Sequence, residues 1–245
     1  MKSPVLALCA CVVLAGTALS QNVQWDTVGP NHGGSFGNIL NFYSDTDNKN
    51  LVVTSWGYTY GPSNTAFEAA RGSQYTIGMG VSNAEETTNN PDHQVDNVGA
   101  DDFMLFCFDE MVANVKVTID PYGTYDRDVT YYTATLDGPV DLSHLSYADL
   151  AALGFSERHD DYSTLSGDAR EVSIANTPGG FNAILFGAWQ GEPTGDSVDC
   201  FKISGVSATY TGQPNPHGSG SSTIPEPSSA LLALLGALGL LRRKR

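Results

Sequence analysis

Between residues 21 and 210, hydrophobic and polar positions alternate in short runs, and almost nowhere do they recur at the three-to-four-residue spacing of a helix. Runs of this kind, rich in Val, Ile, Thr, Tyr and Phe and separated by Gly, Asn, Asp and Pro, are the pattern of antiparallel strands. They predict nine strands, near 39–43, 51–60, 74–79, 102–108, 112–120, 129–136, 169–175, 183–189 and 200–210. In the second of these, Val52, Thr54, Trp56, Tyr58 and Tyr60 share one face, and Val53, Ser55, Gly57 and Thr59 share the other. Phe103 to Phe108 is apolar on both faces, which predicts a strand covered on both sides at the centre of the domain. The single helix expected is Ser146 to Leu153, where Ser146 and Asp149 form a capping-box-like start and Gly154 supplies a left-handed stop. Gly205 interrupts the last strand and predicts a bulge. The expected fold is all-β, an antiparallel two-sheet jelly-roll-like sandwich with one short helix, followed by a C-terminal hydrophobic helix.

The two ends of the chain depart from the alternation. Residues 1–20 carry Lys2 as their only charge, an apolar run from Val5 to Ala15 and a small-residue site at Ala18-Leu19-Ser20, the pattern of a secretory signal peptide cleaved before Gln21. Residues 21–210 form the extracytoplasmic domain. Residues 211–223 turn to Gly, Pro, Asn and Ser and read as a flexible linker. Residues 224–245 then place the rigid triplet Pro225-Glu226-Pro227 before an apolar run from Ala230 to Leu241 and a basic end, Arg242-Arg243-Lys244-Arg245. That apolar run rises about 18 Å, short of a bilayer's roughly 30 Å core unless flanking residues are drawn in. The basic end is a stop that stays on the cytoplasmic side.

Triplet, apolar helix and basic end in this order resemble the PEP-CTERM sorting signal of Gram-negative bacteria. The resemblance implies an exosortase partner that reads Pro225, Glu226 and Pro227, an inner-membrane stage before processing, and release to the cell surface or extracellular space. A second resemblance rests on His93-Gln94-Val95-Asp96-Asn97, Asp102 to Phe106, Val115 to Ile119 and Asp126-Arg127-Asp128-Val129. These segments are similar to the lumenal β domain of some exosortase-dependent surface proteins, which implies a displayed β-sandwich and no particular chemistry.

Charge narrows the partners. Of 27 acidic residues 26 lie in 21–223, against 7 of the 12 basic ones, a formal charge of −19 for that segment. Such a surface repels nucleic acid and anionic headgroups. It suits a hard cation, and Asp92, Asp96, Asp101 and Asp102, just before the central strand, are the candidate Ca²⁺ ligands. The turn Asp45 to Asn50 fails as an EF-hand, because Lys49 and Trp56 stand where ligands are needed. His32, His93, His144, His159 and His217 show no zinc spacing, and Gly154-Phe155-Ser156-Glu157-Arg158 lacks the second Gly of a nucleophile elbow. No enzyme is expected. Cys107 and Cys200 are a candidate disulfide in an exported chain, two buried thiols being the alternative. Trp56, Tyr58 and Tyr60 are either a platform for sugar rings, with exopolysaccharide as the partner, or half of a sandwich core. The expected role is structural or adhesive, in the envelope or an exopolysaccharide matrix, and the alternative is a secreted carbohydrate-binding module or hydrolase.

Overall fold

The computed structural model describes residues 20–216, apart from 31, 45, 61–64, 87–92, 122, 124, 192–197 and 214. In chain order the strands are β1 (Gln21–Asp26), β2 (His32–Gly33), β3 (Ile39–Tyr43), β4 (Asn50–Tyr60), β5 (Thr65–Ala69), β6 (Arg71–Tyr75), β7 (Gly78–Ser82), β8 (Val95–Asp96), β9 (Ala100–Pro121) and β10 (Val129–Ala134). After a 3₁₀ helix (Tyr147–Leu153) come β11 (His159–Asp161), β12 (Arg170–Ser173), β13 (Phe181–Ala188) and β14 (Cys200–Tyr210). Every named strand pair is antiparallel.

The two strands expected at 102–108 and 112–120 are a single 22-residue strand, β9. No Gly or Pro stands at Asp109, Glu110 or Met111 to stop it, and pairing resumes at Val112. The first half of β9 lies between β4 and β13, and the second half between β14 and β12. β3 and β5 extend the first sheet beyond β4, and β10 and β11 extend it beyond β13. From β14 the second sheet continues through β7 and β6 to β2, and β14 also pairs with β1 and β8. β9 thus belongs to both layers of an all-β sandwich.

One extra residue keeps both halves of β9 facing the same interior. Ser207 is opposite Lys116 and Thr209 is opposite Ala113, so β9 spends three steps where β14 spends two. Asn114 takes up the excess at a positive φ of 50°. The inward positions therefore change from even (Met104, Phe106, Phe108, Val112) to odd (Val115, Val117, Ile119), and all seven join one buried cluster with Trp25, Val53, Ile184 and Val206. A second bulge lies between Ile203 and Gly205, where one was expected.

A second cluster covers the outer face of the first sheet. Phe103, Leu105 and Cys107 of β9 pack there with Trp56, Tyr58 and Leu185, under Leu142, Leu150 and Phe155 from the segment that carries the 3₁₀ helix. That cover is why Phe103 to Phe108 is apolar on both sides. The helix starts as its sequence indicates, with the Ser146 amide and hydroxyl both donating to the Asp149 carboxylate at 2.8 and 2.7 Å, and Gly154 ends it at φ 91°.

The expected strand at 74–79 is a correction. β6 ends at Tyr75 and β7 begins at Gly78, whose φ of 130° and closeness to the Ile203 carbonyl, 2.5 Å from where a Cβ would stand, require glycine. β2, β5, β8 and β11, each of five residues or fewer, were not expected, nor was β1, whose alternation rests on only two apolar residues, Val23 and Trp25. The expected signal peptide, except Ser20, and the expected C-terminal hydrophobic helix lie outside the described residues, among which no helix is long and apolar enough to cross a membrane.

Candidate functional site

Acidic side chains converge where three strand beginnings meet. β9 opens with Asp101 and Asp102, whose side chains point to opposite faces by alternation. β8 brings Asp96 beside Cys200 at the start of β14, and Asp126 bridges to Asp199 one residue earlier. The segments 93–97 and 126–129, far apart in the chain, are thereby brought to one end of the domain.

Asp102, fully buried, meets Asp96 and Glu86, and carboxylate oxygens of the three lie within 4.8 Å of one another. Asn83 Nδ2 donates to Asp102 Oδ1 at 2.9 Å, and the Asn83 amide donates to Glu86 at 3.2 Å. Gly57, the partner of Asp102 on β4, makes room for this, because a Cβ there would stand 2.7 Å from the Asn83 Cβ. Burial, then the charges of Asp96 and Glu86, push the Asp102 carboxyl well above the ordinary range. Lys202 is also buried. Its ammonium donates to the His93 carbonyl at 2.6 Å and sits 4.0 Å from the Tyr75 ring centre, and desolvation lowers its pKa to about 8.

A second acidic group joins Asp126, Asp128 and Asp199. Here both oxygens of Asp199 are occupied, Oδ1 by the Asp128 amide at 2.7 Å and Oδ2 by Asn97 Nδ2 at 2.9 Å. Burial first, opposed by the Asp128 amide and reinforced by the Asp128 and Asp126 charges, raises the Asp199 carboxyl to about 8. This group is a hydrogen-bonded joint.

Asp101 faces the other way, into the outer cluster. Its Oδ2 accepts from the hydroxyls of Tyr60 and Tyr147 and from the Gly191 amide, and burial raises it to about 7. Of the four candidate Ca²⁺ ligands, then, Asp96 and Asp102 come together, Asp101 is separated from them by the alternation of β9, and Asp92 lies outside the described residues. Glu86 was missed, because a loop residue sixteen positions before Asp102 carries no local signal of the contact.

Two further candidates are corrected. Trp56 and Tyr58 are buried, and Tyr58 stacks on Tyr147 with ring centres 3.6 Å apart, so the aromatic face is core and no flat platform is open to sugar. Tyr60, half-buried, serves as the Asp101 donor. Cys107 and Cys200 are free and buried. Cys107 lies opposite Val52 and Ala183 in the outer cluster, whereas Cys200 lies opposite Asp96, so different strands and faces hold them apart. Burial raises the Cys107 thiol to about 12, which makes it a poor nucleophile.

A shallow open groove lined by Asn22, Gln24, Asn114, Lys116 and Thr209 shares no residue with the acidic groups. Its ammonium is paired with Glu171 at 2.9 Å. Comparison with known protein families, with curated proteins and with solved structures finds no match for this chain. The residues expected to form the sorting signal, Pro225, Glu226, Pro227, Arg242, Arg243, Lys244 and Arg245, lie outside the described residues.

Proposed function

We propose that this protein is an exported, acidic β-sandwich of the cell envelope or exopolysaccharide matrix, structural or adhesive in role, delivered by a signal peptide and by a C-terminal signal that an exosortase removes. The carrying observation is the order Pro225-Glu226-Pro227, apolar run, Arg242 to Arg245 at the C-terminal side of a polar linker. The geometry of the domain is compatible with it. β1 begins at Gln21, the residue expected to follow signal cleavage, and Gln21 is paired with Tyr210, the last residue of β14. The expected cleavage point and the end of the last strand therefore stand side by side. The linker is held to the domain as far as Asn215, whose Nδ2 donates to the Leu136 carbonyl at 2.9 Å, and by composition the eight residues 216–223 span roughly 15 Å.

A carbohydrate-binding module working through Trp56, Tyr58 and Tyr60 is disfavoured, because that face is interior. Expression with an exosortase and mass spectrometry of the secreted protein test the sorting. The expected product begins at Gln21 and has lost Ala230 to Arg245, and Glu226→Ala leaves a membrane-held precursor. A secreted product that retains Arg245 refutes the proposal.

A further inference from the structure

We propose that Glu86, Asp96 and Asp102 hold a structural divalent cation, Ca²⁺, that ties the loop at 83–86 to β8 and β9. The three carboxylates come from a loop and two strands and converge within 4.8 Å. Two oxygens on opposite sides of a Ca²⁺ ion, each bound at 2.3–2.6 Å, stand about 5 Å apart, so the cluster has the dimensions of one coordination shell.

A group of acids alone would be ordinary acidic surface. This one is different because Asp102 is wholly buried and its Oδ2 has no hydrogen-bond partner among the described residues. Asn83 satisfies Oδ1 only. The Asp96 backbone amide favours the ionised carboxyl, but a wholly buried carboxylate oxygen without a hydrogen-bond partner still costs several kcal/mol, and the neighbouring carboxylates add repulsion. The balance of charge points the same way. Three carboxylates and the Lys202 ammonium, close enough to respond to Asp96 and Glu86, leave two negative charges, which one divalent ion neutralises.

The cluster consists of oxygen donors without imidazole, which selects a hard cation over zinc. Ca²⁺ tolerates an irregular shell completed by water, whereas Mg²⁺ demands a near-ideal octahedron. The frame is already built: Asp96 is held by the pairing of β8 with β14, and Asp102 by its pairing with Gly57. Glu86, partly exposed, is the member through which an ion enters. The Asp126, Asp128 and Asp199 group makes no such demand, because both oxygens of its buried member accept from protein donors.

The inference rests on the domain alone, so it can fail while the sorting proposal stands, and the reverse. Metal-stripped full-length protein is titrated with CaCl₂ by calorimetry and melted with and without the ion. One Ca²⁺ per chain and a melting temperature that climbs with its concentration are expected. Glu86→Gln should lower the affinity at least about tenfold while leaving the metal-free melt unchanged. Asp102→Asn should abolish the Ca²⁺-dependent shift and melt no lower than the metal-free parent, since it removes the buried charge. Absence of saturable binding, or binding with unchanged affinity in both variants, overturns the assignment.

Discussion

Asn97 and Asp199, 102 residues apart, are joined by two reciprocal hydrogen bonds: Asn97 Nδ2 donates to Asp199 Oδ2 at 2.9 Å, and the Asp199 amide donates to Asn97 Oδ1 at 3.0 Å. The pair ties the turn after β8 to the start of β14, and the Asp128 amide adds the segment before β10 at 2.7 Å. Asn97→Ala leaves a buried amide and a buried carboxylate oxygen without these partners. The expected loss of stability is about 2–4 kcal/mol, read by urea unfolding.

The same joint makes stability depend on pH. Asp199 titrates at about 8 in the folded protein and near 3.8 when exposed, because burial and the Asp126 and Asp128 charges disfavour its ionised form. A raised carboxyl pKa means that the native state binds the proton more tightly than the unfolded chain does. Its contribution is therefore fully present below about pH 4 and is lost as pH rises through about 8, with a slope of at most about 1.4 kcal/mol per pH unit. Asp199→Asn has no carboxyl to ionise, so between pH 5 and 8.5 its unfolding free energy should fall less steeply than the parent's. Parallel profiles for the two proteins would show that Asp199 ionises freely in the fold.

Trp56 separates a buried aromatic stripe from a binding surface. It is 6% exposed, its Nε1 donates to Thr54 Oγ1 at 3.0 Å, and it packs with Tyr58 and Phe103 beneath the covering segment. Trp56→Ala should cost about 3–5 kcal/mol in thermal or urea unfolding. A variant with unchanged stability and abolished glycan binding would restore the platform reading.

Much of this architecture is legible residue by residue. The alternation at Val52 to Tyr60 marks β4, the double-faced run Phe103 to Phe108 marks the strand covered on both sides, and Ser146, Asp149 and Gly154 bracket the helix. These signals are local, so they survive folding. What was not legible depends on distant partners. Trp25 and Val23 are buried only because β1 lies along β14, a pairing that spans nearly the whole domain. Asp101 and Asp102 look equivalent in the sequence, yet the pleat sends one to two tyrosine hydroxyls and the other to two carboxylates. The identity of Glu86 as the third member follows from a loop closure that leaves no local periodicity.

The two cysteines are expected to behave as buried thiols. Both are free, and Cys107 is raised to about 12 by burial alone, so little thiolate exists at neutral pH. A thiol-reactive disulfide reagent should label neither residue in native protein at pH 7 and both after denaturation in guanidinium. An unreduced, denatured sample that yields no free thiol would establish a disulfide.

Asn114 sets the parity of β9. Its φ of 50° is the left-handed region, which Asn tolerates and a β-branched side chain does not. Its amide donates to Asn176 Oδ1 at 2.7 Å, and Asn176 Nδ2 donates back to Asn114 Oδ1 at 2.9 Å, so the bulge is held from the loop after β12. Asn114→Val imposes the wrong backbone preference and removes the returned hydrogen bond, with an expected loss of about 2–3 kcal/mol. Asn114→Gly removes the same hydrogen bond and relieves the backbone, so its cost should be under about 1 kcal/mol. The comparison isolates the backbone from the side chain, because the side-chain bond is lost in both variants. If valine costs no more than glycine in urea unfolding, the bulge does not depend on residue 114, and the change from even to odd inward positions along β9 must be enforced by Val112 and Val115 packing instead.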